Sequence, residues 1–203
     1  MSGATRIAAV LATLSCVAAT LACGALLEGY SQLAHPLGLL GARGVPHALA
    51  FDAFGFALPG LLAAFVAWRL RAAVGDGAAW PARIGAWLAL LSALAFAAQG
   101  VLALDPRDLE STASRAHATA WMLWWVAFVP AGALLAAGVR GMRAGRPFAA
   151  ACAIAAAVVV VLALLPLDLL APALAQRVAF AAWLAWVLAA GGWVGAQPGA
   201  SRW

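Results

Sequence analysis

Residues 104–125 read LDPRDLESTASRAHATAWMLWW. The stretch gathers Asp105, Asp108, Glu110, Arg107, Arg115 and His117 between two long apolar runs, in a chain of which only 9% of residues are charged. Charge this concentrated between runs that are nearly free of it marks a loop between membrane spans, with a helix resuming near His117. The same stretch is the first place to look for polar chemistry.

Outward from that loop, composition sets the class. Of 203 residues, 67% are hydrophobic and mean hydropathy is +0.99, whereas soluble domains sit near roughly 45–50% apolar. An apolar helix needs about 20 residues to cross ~30 Å of hydrocarbon. Six segments meet that length, at about 7–27, 47–69, 84–104, 117–139, 148–165 and 177–195. The expected fold is all-α, a single transmembrane domain built as a polytopic bundle of six helices. The first segment is longer than the ~7–15-residue apolar core of a cleaved signal peptide, so it reads as a membrane span. Thr20, rather than Leu, stands three residues before Cys23, which argues against a lipoprotein signal.

Internal features sharpen the picture. Val101–Leu109 (VLALDPRDL) aligns with residues 161–169 (VLALLPLDL), and after a two-residue shift Trp121 and Trp124 match Trp183 and Trp186. The repeat predicts hairpins of helix, loop and helix, three of them if the first pair of helices joins the series. Asp105 before Pro106 is a helix-start signal, predicting a short surface helix there. Ala149, Ala153 and Ala157 predict a small-residue contact face on the fifth helix.

The formal charge of +5 would point a soluble protein toward nucleic acid, but its distribution between loops encodes orientation instead. With alternate loops assigned to opposite sides, eight arginines and one acid (Asp76) share the side of the termini, against four arginines and six acids on the other. The positive-inside rule then puts both termini in the cytoplasm and the Asp105 loop outside, in a bacterial cytoplasmic (inner) membrane. All twelve basic residues are Arg. Without a lysine amine the chain forms no Schiff base with retinal or pyridoxal phosphate and no lysine-dependent phosphate loop for ATP. Cys16, Cys23 and Cys152 lie in apolar runs without metal-ligand spacing.

The outer helix ends would form a polar collar of Glu28, His47, Asp52, Asp105, His117, Asp168 and Arg177, with Gln99 about 9 Å deeper at helical rise. Much of this is what helix ends require, since acids and histidines there meet water and cap free backbone groups. Asp52 is different. It lies inside the second helix among Phe51, Phe54 and Phe56, where a carboxylate needs a partner such as Arg115, Arg177 or a histidine. Trp121, Trp124 and Trp125 share one face of the fourth helix and could hold an apolar body while the collar holds a polar head.

Three functions follow. The foremost is binding, or passing on, a lipid or other amphipathic small molecule at the outer face, with Asp105, His117, Glu28, Tyr30, Ser31, Asp52, Gln99, Arg115, Trp121 and Trp124 as candidate contacts. The alternative is a metal-dependent membrane hydrolase in which zinc is held by His117, Asp105, His47 or His35, although no HExxH pair is present. A small proton-coupled transporter through Asp52 and Gln99 is a third class; so small a bundle would have to dimerise, and a homo-oligomer is the protein partner left open.

The segments EGYSQL after the first helix, FDAFGFALPG in the second, GVLALDPRD closing the third and RAHATAW opening the fourth resemble a bacterial and archaeal multi-pass membrane family catalogued as a domain of unknown function, number nine-nine-eight. The resemblance covers most of the chain; its specific part is Gly100 to Asp105 followed by His117, with more charge in the spacer than is usual. It implies the multi-span topology and points to Tyr30, Ser31, Asp105 and His117, with no activity attached.

Overall fold

The computed structural model describes residues 2–164 and 170–197. Among these there are six helices long and apolar enough to cross a membrane, and no strands. They are α1 (Ser2–Leu26), α2 (Ala48–Val74), α3 (Trp80–Gln99), α4 (Thr112–Gly138), α5 (Gly145–Leu164) and α6 (Pro172–Gly195). Each packs on the next, and α6 returns to α1, closing a ring with α2 and α6 also in contact across it. Six antiparallel spans leave Ser2 and Gly195 at one end, here the terminal end, and the Asp105 loop at the other.

Hydrocarbon offers no water to backbone or hydroxyl groups, so helices satisfy both internally. Thr13 and Thr20 accordingly donate back to the carbonyls of Ala9 (3.0 Å) and Cys16 (2.8 Å). In α2 the segment Asp52–Ala57 widens into a π turn. Pro59 follows two residues later; lacking an N–H and crowding the carbonyl four residues back, it disfavours the ordinary helical ladder there.

Several boundaries differ from the sequence reading. The third helix stops at Gln99 rather than 104, so Gln99 and Asp105 do not lie on one helix. Asp105 opens no surface helix: its Oδ1 accepts the Arg107 N–H (3.1 Å), and Asp108 Oδ1 likewise accepts Glu110 N–H (3.0 Å), making two successive side-chain turns. The helix start belongs to Ser111, whose Oγ accepts the Ser114 N–H at 3.2 Å, so α4 begins at Thr112 instead of His117. Pro172 in the first turn starts α6 five residues before the expected 177. Of the second repeat copy, residues 165–169, including Asp168, lie outside the described residues, as does Arg202.

The axis of the ring is filled with aromatic rings. Phe96 stacks on Trp183 (centroids 4.5 Å, 24°), Trp124 meets Phe180 edge-on at 4.7 Å, and Phe128 meets Trp186 at 5.1 Å. Between neighbouring helices, small residues permit close approach. Gly85 packs on Ala131 and Leu135, Gly132 on Cys152 and Ala156, and Gly191 on Ala9. On α5 the contact face therefore runs through Ala149, Cys152 and Ala156, while Ala153 and Ala157 are exposed rather than part of the predicted contact.

Gly60 is the tightest test of this packing. A Cβ there would overlap the Ala97 backbone, with the Ala97 Cα only 2.6 Å away, whereas a Cβ on Gly192 would meet nothing within 4 Å. Gly60→Ala is expected to cost about 1–3 kcal/mol through overpacking. Gly192→Ala, favoured by helix propensity, should be neutral or slightly stabilising. Thermal melts of the two variants in mild detergent read the difference.

Candidate functional site

The end of the bundle opposite the termini is closed by the chain itself. After Pro36, residues Leu37–Gly41 form a 3-10 turn whose Leu37 and Leu40 side chains are buried in the mouth of the ring. The turn is tied down at both sides: Leu37 N–H donates to Gln176 Oε1 (3.0 Å) and Arg43 N–H to the Leu104 carbonyl (2.8 Å). Its glycines allow the fit. A Cβ on Gly38 would sit 3.0 Å from His117 Nε2, and one on Gly41 would overlap the Asp52 carboxylate.

Beneath this plug lie His117, Asp52 and Gln99. His117 Nδ1 stands 2.9 Å from the Leu102 carbonyl; a carbonyl only accepts, so Nδ1 carries a proton, and Nε2 faces Gly38. The ring also packs edge-on against Phe56 at 6.1 Å. Gln99 is fully buried, and neither end of its amide has a partner among the described residues. Asp52 is buried too, but none of its expected partners reaches it. Arg115 is bonded to Glu110 (2.7 Å), Arg177 to other groups, and His117 to Leu102.

Arg177 organises a second cluster, one that sequence reasoning did not assemble. It lies in the second turn of α6, half-buried, where Nη2 donates to Tyr30 Oη (2.6 Å) and to Gln32 Oε1 (3.0 Å), and Nη1 to the carbonyls of His35 and Ala173 (both 2.9 Å). The guanidinium also faces the Tyr30 ring at 6.0 Å. All of these acceptors are neutral, and among the described residues no carboxylate pairs with Arg177. Below it, between α1 and α6, runs an apolar groove of about 300 Å³ whose walls include Val17, Leu21, Leu184 and Leu188.

The remaining candidates are dispersed. Ser31 Oγ accepts from Leu33 N–H, and it is the Ser31 backbone N–H that donates to His35 Nδ1 (2.9 Å), so the hydroxyl is not paired with that imidazole. Asp105 is fastened to Ser114, whose Oγ accepts the Asp105 N–H at 3.1 Å. Glu28 and His47 are exposed, and the exposed Arg115–Glu110 pair contributes little to stability. Among the described residues no three His, Cys, Asp or Glu side chains are grouped so as to hold a metal ion. Trp124 is a core residue; with Trp121 and Gln176 it lines a cleft of about 130 Å³, small for a ligand site. Trp125 is half-buried against Trp121.

Gln32, Gln176 and Arg177 are the residues that sequence reasoning undervalued. The usable signal was Arg177 itself, the only charge in the last span, where a cation a turn inside a helix needs acceptors close by.

A closed ring of six apolar helices, with its charged groups at or near the ends, defines a multi-pass membrane protein. The chain belongs to the family described as Protein of unknown function (DUF998), which it matches over residues 10–193. Neither the curated proteins nor the solved structures compared with it give a match.

Tyr30 is the single tyrosine of the chain, so its ionisation can be followed alone. Burial raises its pKa above the usual 10, opposed in part by the charge and hydrogen bond of Arg177. A raised folded pKa contributes stability that is complete below the unfolded value and lost as pH rises through the folded one. Difference absorbance at 295 nm is expected to show a midpoint above that of the unfolded chain. Arg177→Gln, which removes the favourable cation, should move it higher still.

Proposed function

We propose that this membrane protein binds an amphipathic molecule with an anionic head, held by Arg177 and its Tyr30–Gln32–His35 surround, with the apolar body in the groove between α1 and α6. The observation that carries this reading is a half-buried guanidinium whose acceptors among the described residues are all neutral, at the head of an apolar groove of about 300 Å³. A cation at the edge of hydrocarbon, to which no described residue supplies a counter-charge, favours an anion that brings its own apolar tail. The neutral acceptors orient the guanidinium without cancelling its charge, so the site attracts carboxylate, phosphate or sulfate heads. The groove walls supply dispersion contact to an alkyl chain, within the size range of small-molecule pockets.

The arginine distribution supports a bacterial inner-membrane location with cytoplasmic termini, which would place the Arg177 cluster at the outer surface. There a lipid or lipid precursor leaving the outer leaflet would meet Arg177 at headgroup depth, and the role is holding or handing on such a molecule.

The test uses cis-parinaric acid, a fluorescent fatty acid, and its methyl ester, titrated against purified protein in detergent with energy transfer from tryptophan. Wild type should bind the acid at least tenfold more tightly than the ester, about 1.4 kcal/mol of discrimination. Arg177→Gln should bring the acid down to the ester's affinity. Equal binding of acid and ester by wild type would refute the assignment.

A further inference from the structure

The terminal end of the bundle carries a second charged feature of a different kind. Seven described arginines lie there with one acid, Asp76, which is already bonded to Arg71. Two of the seven, Arg140 and Arg143, lie in the short connection between α4 and α5, and a third, Arg146, in the first turn of α5. That connection is rigidly built: Met142 N–H donates to the Val139 carbonyl (2.9 Å) and Gly145 N–H to the Met142 carbonyl (2.9 Å), with Ala144 at a positive φ of 49° between them. The Arg143 carbonyl accepts from both Trp193 Nε1 (3.1 Å) and Gln197 Nε2 (3.0 Å), fastening the turn to α6. Trp193 in turn stacks on Phe148 at 4.9 Å.

On this frame Arg140 and Arg146 line one cavity of about 610 Å³. Arg140 Nε is fixed on the Ala136 carbonyl (3.1 Å), and among the described residues its terminal nitrogens and those of Arg146 have no acceptor. The rest of the lining is Gly141 and the small side chains of Ala149, Ala150 and Ala153. From there the outward face of α5 continues through exposed Ile154 and Val161, with no polar side chain on the helix beyond Arg146 except the buried Cys152. At 1.5 Å per residue this face runs ~30 Å, the depth of the hydrocarbon.

We infer that this cavity is a site for an anionic phospholipid, its phosphate held between the guanidinium groups of Arg140 and Arg146 and an acyl chain lying along the outward face of α5. Charge complementarity selects the head: two arginines to which no described residue supplies a counter-ion, set where headgroups lie, match a phosphate by paired charge-assisted hydrogen bonds. The alanine floor leaves room beside α5 for a chain that a larger side chain would displace. A headgroup that neutralises its own phosphate, as choline does, competes with the arginines and fits less well. This site is separate from the Arg177 groove and lies at the opposite end of the bundle.

The test is native mass spectrometry of the full chain released from detergent, with phosphatidylglycerol, chain-matched phosphatidylcholine or inorganic phosphate added in turn. Wild type should retain phosphatidylglycerol over phosphatidylcholine. Arg140→Gln with Arg146→Gln should reduce that retention at least tenfold, while Arg107→Gln with Arg115→Gln at the other end leaves it intact. Arg140→Lys with Arg146→Lys keeps the charge but loses the paired geometry, and should also lose most of the preference; it serves if the glutamine pair fails to fold. Undiminished retention in both Arg140/Arg146 pairs, or equal retention of the two lipids by wild type, overturns the site. Displacement of the lipid by phosphate at equal concentration would show a simple anion site and overturns the lipid assignment. Because the Arg177 groove also accepts phosphate heads, these comparisons are made in an Arg177→Gln background, where retention reads this site alone, while the acid–ester titration reads the groove.

Discussion

In hydrocarbon a helix gains little from burying its apolar side chains against another helix, since the lipid is equally apolar. What holds the ring together is close contact, and close contact needs small residues where helices cross. The glycine of one helix meets alanine or bare backbone of the next at Gly60, Gly85, Gly132 and Gly191, bringing helix surfaces near enough for dispersion to act along their length. The aromatic rings then have a place to go. With the periphery drawn in by glycine and alanine, the axis accommodates Phe96, Trp124, Phe128, Phe180, Trp183 and Trp186, interlocked mostly edge to face. Small residues at the helix crossings and large ones along the axis are two halves of one packing solution.

That solution fixes where polar chemistry can sit. Ser92 and Thr13, within the spans, spend their hydroxyls on the carbonyls of Trp124 (2.8 Å) and Ala9 (3.0 Å), and charged side chains gather toward the ends. At the Asp105 end, backbone groups freed where α3 stops are taken up by tertiary partners: Leu102 offers its carbonyl to His117, and Leu104 offers its carbonyl to Arg43. The plug of residues 37–41 is therefore part of the backbone hydrogen-bonding of the bundle as well as its cover. Arg177 stands beside the plug and bonds the His35 carbonyl just before it, so the Arg177 cluster and the covered His117–Asp52–Gln99 layer are mechanically joined.

The number, order and class of the helices were legible because each span must be apolar for about 20 residues and the charged loops interrupt that pattern plainly. The boundaries were not. Val101 to Leu104 continues the apolar run, and nothing local reveals that the Leu102 and Leu104 carbonyls are claimed by partners 15 and 61 residues away. The collar was legible as a set of residue types near helix ends and not as contacts. Asp105 and Asp108 turned inward to their own loop, Glu110 took Arg115, and no cation among the described residues pairs with Asp52. Arg177 found Tyr30 and Gln32, some 145 residues away, a pairing that only the closure of α6 on α1 creates.

That closure has a consequence for how a ligand could approach. The axis is occupied by interlocked aromatic rings and its Asp105 end by Leu37 and Leu40, so the described residues leave no polar path through the middle of the bundle. The described features able to take a sizeable apolar body lie on its perimeter, in seams between helices that open sideways to lipid, with the α1–α6 seam leading to Arg177. A molecule entering there need not leave the hydrocarbon with its tail while its head moves along the surface to Arg177, and desolvation is confined to the head. The arrangement suits an occupant already dissolved in the bilayer far better than one arriving from water.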